Sequence, residues 1–114
     1  MTRPKKPKAA EHLAPATRRW WASVYSDYQL ESHHVRLLTL AAEAWDRTVA
    51  AREAIEQHGL TYTDRFGAPK ARPEVAVERD SRIAFARLLR ELDLDVEPPA
   101  ETPRPPALRS NRRL

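Results

Sequence analysis

The chain has 114 residues, 20 Lys and Arg against 16 Asp and Glu, four histidines, no cysteine and a mean hydropathy of −0.70. This length allows one domain at most, and with the polar ends set aside about 80 residues remain to fold, a core small enough that association with further copies is a common remedy. Without cysteine there is no disulfide framework, no apolar run approaches the roughly 20 residues that span a bilayer, and no apolar block follows the basic N-terminus as in a signal peptide; a soluble, intracellular protein with no membrane partner is expected.

Charge is unevenly spread. Residues 1–19 carry six basic side chains and one acidic, residues 20–92 ten and eleven, and residues 93–114 four of each. The excess positive charge is therefore N-terminal. Residues 1–10 are rich in Lys and Pro with no large apolar side chain after Met1, so a disordered basic arm is expected over residues 1–12.

Helical signals begin at Leu13. Pro15 suits a first turn, and Trp20, Trp21, Val24, Tyr25 and Tyr28 follow at offsets that place them on one face, with Arg18, Arg19, Ser23 and Asp27 opposite. Gln29 to Glu31 interrupt this helix. Ser32 is the expected N-cap of a second, which runs to about His58, where Gly59 can end it in a left-handed conformation. Such a helix is a rod of roughly 40 Å. Leu37, Ala41, Ala44, Ala51 and Ile55 form one stripe along it, and Leu38, Ala42, Trp45 and Val49 a neighbouring one. A face this wide and this rich in alanine fits a helical hairpin or subunit packing.

Residues 60–72 read as a short β-hairpin: Leu60 to Thr63 favour a strand, Asp64 to Gly67 a turn, and Ala68 to Arg72 a return that Pro69 confines to an edge. Two short strands need the helices or a neighbouring subunit for support. Pro73 opens a third helix with Glu74 and Glu78 near its positive end. Val77, Ser81, Ala84, Phe85, Leu88, Leu89 and Leu92 are expected on its inner face, and Ile83 away from it, where it suits a subunit contact. The fold class is thus mainly α, a three-helix core over residues 13–94 with a hairpin between the second and third helices. Residues 95–114 follow as a flexible Pro- and Arg-rich tail, acidic at Asp95, Glu97 and Glu101 and basic at Arg104, Arg109, Arg112 and Arg113.

Little in this inventory points to catalysis. The carboxylates match no catalytic constellation, Asp93 and Asp95 read as solvated, and Asp64 with Arg65 reads as a charged turn. His33 and His34 open a helix without an i+4 histidine or an acidic partner set, so no metal site is expected. Phosphate-binding and dinucleotide-binding glycine motifs are missing from the sequence, so no cofactor and no enzymatic activity are expected. Arg3, Lys5, Lys6 and Lys8 could release counterions from a DNA backbone without reading its sequence, and Arg18 and Arg19 are further candidates for phosphate contact. The aromatic stripe could stack on bases, but its helical spacing makes it core first.

Taken together, Leu13-x-Pro15 before an aromatic helix, a long helix with a central Trp45, Gly59-Leu60, Gly67-x-Pro69-Lys70, Arg72-Pro73 and a third helix ending Leu88-Leu89-Arg90-Glu91-Leu92-Asp93-Leu94 resemble the phage terminase small subunit. The branch is that of tailed phages and prophages that package DNA into preformed proheads. The likeness covers about residues 13–112, including Arg104-Pro105-Pro106-Ala107-Leu108-Arg109-Ser110-Asn111. Each motif is weak alone; their order and spacing are more specific. One departure concerns Leu92-Asp93-Leu94, where the resemblance implies Leu-Gly-Leu in many relatives, so a different helix end is expected there.

The resemblance implies a non-catalytic packaging component in the bacterial host's cytoplasm, not expected in the mature virion. Such subunits form homo-oligomeric rings, engage double-stranded viral DNA and regulate the large terminase subunit, which carries the ATPase and nuclease. By that likeness Leu37, Ala41, Ala44, Trp45, Ile55, Phe66 and Ile83 would face neighbouring subunits, the six N-terminal cations would contact DNA, and Arg104, Leu108, Arg109, Arg112 and Arg113 would dock the large subunit. The competing reading is a small helical DNA-binding transcriptional regulator with no motor partner. Against it, the break at Gln29 to Glu31 leaves no short recognition helix. A metal-dependent enzyme, the third reading, would need an ion retained through purification.

Overall fold

The structure, a computed structural model, describes residues 7–94. Its elements are α1 (Pro15–Asp27), α2 (Ser32–His58), β1 (Thr61–Thr63), β2 (Pro69–Ala71) and α3 (Pro73–Leu92). These are the three helices and the interposed antiparallel hairpin that the sequence predicts. Arg3, Lys5, Lys6 and the whole predicted tail lie outside the described residues.

Pro15 takes the first position of α1, where its missing N–H costs nothing. No neighbouring side chain caps this end. Instead Asp46 of α2 accepts the Ala14 backbone N–H at 2.8 Å and the Thr17 hydroxyl, and its carboxylate also complements the positive end of the helix dipole. His12 Nε2 lies 2.9 Å from Glu43 Oε2, so the chain entering α1 is held to α2 at two points. Within the predicted arm, Ala9 and Ala10 pack against the core, and Leu13 is part of it at 3% exposure. Their small apolar side chains extend the cover over Leu13, whereas Lys8 stays exposed.

The start of α2 corrects the expected cap. Glu31, not Ser32, is the N-cap: its side chain accepts the His34 backbone N–H, while His34 Nδ1 accepts the Glu31 backbone N–H at 3.3 Å. This reciprocal box needs polar side chains three residues apart. Ser32 would have had Val35 at that offset, which offers none. At the other end Gly59 has φ 84 and ψ −175, a region that essentially only glycine enters, instead of the expected left-handed helical conformation.

The two predicted stripes of α2 merge into one buried face of Leu38, Ala41, Ala42, Ala44, Thr48 and Ala51, because α1 and α3 both pack on it. Alanines on that face permit close approach, and the α2–α3 contact is the most extensive between elements among the described residues. Thr48 is buried at no polar cost because its hydroxyl donates to the Ala44 carbonyl at 2.8 Å. Leu13, Trp21, Val24, Leu38, Ala42 and Leu92 form the central cluster, which draws on all three helices and the segment before them.

Side-chain bonds from α1 to α2 run from Thr39 to Asp46. Beyond Asp46, α2 continues for roughly 18 Å. There α2, α3 and the hairpin form a two-helix arm, in which Glu78 Oε1 joins the helices by receiving Arg52 Nε at 3.3 Å and Arg82 Nε at 3.2 Å. Val77, expected on the inner face of α3, is 37% exposed because it lies on this arm, past the cover of α1.

In the hairpin, Thr61 faces Ala71, Tyr62 faces Lys70 and Thr63 faces Pro69. Asp64 organises the turn: one carboxylate oxygen accepts the backbone N–H groups of Phe66 and Ala68, both at 2.9 Å, and Gly67 supplies the positive φ of 81. Asp64 is therefore a turn clamp, which is the charged-turn reading. Every strand residue is exposed.

Asp93, at the C-cap of α3, adopts φ 49 and ψ 53, and its N–H bonds to the Leu89 and Arg90 carbonyls. Aspartate tolerates the left-handed region better than most residues, at a cost of roughly 1 kcal/mol. The helix thus ends as a glycine would end it.

Candidate functional site

A concave surface runs between α1, α2 and α3 around Phe85. Trp20 meets Phe85 edge-on with ring centroids 5.9 Å apart, Trp45 meets it at 5.2 Å, and the Arg52 guanidinium lies 5.9 Å from the Trp45 ring centre. One depression of about 270 Å³ is lined by Ala16, Thr17, Trp20, Trp45 and Phe85. It shares Trp20 and Phe85 with a second of about 430 Å³, whose other walls are Leu89, Arg90, Asp93 and Leu94. A third, of about 150 Å³, lies on the far side between Trp45, Thr48, Arg82, Phe85, Ala86 and Leu89. The three depressions adjoin one another around Phe85, which lines them all, and Arg82 and Arg90 stand at their edges.

The predicted DNA contacts divide between described and undescribed residues. Lys8, Arg18 and Arg19 are exposed, and none of them forms an ion pair among the described residues. The sequence reading passed over Arg36 and Arg47, which are exposed on one stripe of α2 with Leu40, 51% exposed, between them. Their spacing at i, i+4 and i+11 was the available signal.

The predicted subunit contacts also separate. Ala41 and Ala44 are buried inside the single chain, at 0% and 4% exposure, so their close-approach surface is already used by the chain's own packing. Leu37 and Ile55 are half-buried, and Trp45 belongs to the groove. Phe66 and Ile83 remain free for a partner, at 79% and 42% exposure. Other apolar side chains join them: Leu60, Tyr62 and Val77, none of them on the α2 stripes, are exposed on the same two-helix arm and its hairpin, and Ile83 borders a shallow cleft with Asp80, Ala84, Arg87 and Leu88. Leu60 and Tyr62 were legible as apolar residues on strands too short to own a core.

Glu31, His33 and His34 converge, with ligand atoms within 4.8 Å of one another. The capping box accounts for two of them, and His33 Nδ1 stands 3.6 Å from Glu31 Oε2 on the exposed side. This is a helix cap in geometry and partners. No helix among the described residues is long and apolar enough to cross a membrane.

What the fold and these surfaces define is a small three-helix protein with exposed apolar side chains at its hairpin end, exposed arginines on α1 and α2, and depressions between its helices. A family model described as phage terminase, small subunit, matches residues 18–102. The chain belongs to that family, and membership supports a role in phage DNA packaging. Comparison with curated proteins and with solved structures gave no significant match.

Proposed function

We propose that the chain is the ring-forming, non-catalytic small subunit of a packaging terminase, acting in the cytoplasm of the bacterial host. The observation that carries this reading is the family match across residues 18–102. Assembly is supported by the two-helix arm, where a hairpin with no buried strand residue, Phe66 at its tip and Ile83 on α3 leave large apolar side chains exposed. The ring interface then runs through Phe66 and Ile83, with Leu37, Trp45 and Ile55 as lesser contacts.

Double-stranded viral DNA is engaged through Arg3, Lys5, Lys6 and Lys8, with Arg18 and Arg19 exposed on α1 as a second row. Contacts of this kind go to phosphates and position the duplex without reading it. Repetition around a ring converts weak single arms into useful avidity. The tail docks the large terminase subunit through Arg104, Leu108, Arg109, Arg112 and Arg113. Deleting residues 95–114 is expected to leave assembly intact, by light scattering, and to abolish stimulation of the large subunit's ATPase. Retained stimulation would place the docking surface on the helical core.

A further inference from the structure

We infer that Phe66, at the hairpin tip of one copy, seats in the depression between Trp20, Trp45 and Phe85 of the next copy, joining the chains head to tail. Phe66 is the most exposed large apolar side chain among the described residues, at 79%. It is also held in place, since its backbone N–H donates to Asp64 Oδ1 at 2.9 Å and the Arg65 guanidinium lies 4.8 Å from its ring centre. An aromatic ring already fixed on a rigid turn loses little freedom on binding, and aromatic and arginine side chains are the ones enriched at the centre of interfaces.

The receiving surface fits that side chain. Its depression of about 270 Å³ is walled by Ala16, Thr17, Trp20, Trp45 and Phe85, and a cavity of about 150 Å³ already holds a benzene ring. Three aromatic rings in the wall offer edge and face partners to a fourth, and Trp45 keeps 40% of its surface open. Charge agrees as well: Asp46 is bonded to Thr17 of the wall, Asp93 lines the adjoining depression, and neither forms an ion pair among the described residues. Arg65, arriving beside Phe66, forms none either. Of the cations nearby, Arg52 and Arg82 are both bonded to Glu78, which leaves Arg90 beside Asp93.

Phe66 does not reach the depression of its own chain. From Trp45 to the end of α2 at His58 is roughly 20 Å, and the strands beyond pair extensively with each other and with no helix, so the tip is not brought back. Knob and depression are therefore different surfaces of one molecule. A contact between them is either returned by the same partner, which closes a pair, or passed on to another chain, which builds a ring or a filament. This inference rests on the ring reading proposed above and gives that ring its joint.

The chain has no cysteine, so Arg65→Cys with Ala16→Cys places one thiol beside the tip and one on the wall, leaving Phe66 and the three rings intact. Mild oxidation of the full-length double variant is expected to give a ladder of disulfide-linked chains running past the dimer on a non-reducing gel, and each single variant is expected to stay unlinked. Adding Phe66→Ser should cut the linked fraction roughly tenfold or more. Light scattering on the same samples separates the two readings. Chains that assemble yet stay unlinked would overturn this contact and leave the ring standing. Links that stop at two chains, or Arg65→Cys alone linking as well as the double variant, would also overturn it, in favour of a mutual pair or of tip meeting tip. A mass of one chain without links would overturn both readings.

Discussion

Replacing Trp21 by alanine is expected to destabilise the fold by about 3–5 kcal/mol. Trp21 is 2% exposed and sits where α1 meets α2. Its ring stacks on Tyr25 with centroids 5.5 Å apart and planes 6° from parallel, and its indole N–H donates to the Thr39 hydroxyl oxygen at 3.2 Å. That hydroxyl in turn donates to the Val35 carbonyl at 3.1 Å, so the oxygen's second site is matched to the indole. Alanine removes the largest buried side chain of the cluster, unstacks Tyr25 and leaves the Thr39 oxygen short of one donor. The loss is a large share of the 5–15 kcal/mol typical of a whole domain. Trp21→Phe keeps a ring and forfeits the hydrogen bond, and should cost less than half as much. Urea unfolding followed by circular dichroism at one fixed protein concentration measures both, since association would otherwise shift the midpoint. An alanine variant with an unchanged midpoint would mean that α1 contributes little to the core.

The second large effect concerns DNA. An arm that places its four cations, Arg3, Lys5, Lys6 and Lys8, on phosphates should lose roughly 100-fold in affinity between 50 and 200 mM salt. Several arms acting together steepen that dependence. Removing residues 1–10 should weaken binding to duplex DNA and flatten the salt slope, as read by fluorescence anisotropy with a labelled duplex. Affinity that survives the deletion would move the contact to exposed cations of the core, with Arg18, Arg19, Arg36 and Arg47 next to be substituted.

Features set by local chemistry were legible in the sequence. Pro15, Gly59 and Pro73 mark helix boundaries through restrictions on their own backbone, and the structure places α1, α2 and α3 accordingly. The hairpin likewise follows from Asp64, Gly67 and Pro69. Features that join distant residues were not legible. Asp46 caps a helix that begins 31 residues before it, and no periodicity reports such a bond. The Glu31–His34 box was overlooked because serine is the more usual cap, although Ser32 has no partner three residues on. Val77 and Trp45 carry the right spacing for burial, yet spacing names only a helix face. How far α1 extends along α2 decides which part of that face is covered. The groove is the extreme case, since Trp20, Trp45 and Phe85 each come from a different helix.

Assembly is the point on which the account turns, because every strand residue of the hairpin is exposed and Phe66 and Ile83 stand open on the arm. Light scattering coupled to size exclusion, on the full-length protein at micromolar concentration, measures it directly. The account predicts a single closed oligomer of many subunits, broken down by Ile83→Asp combined with Phe66→Asp while helical content is retained. A mass equal to one chain at that concentration would contradict it.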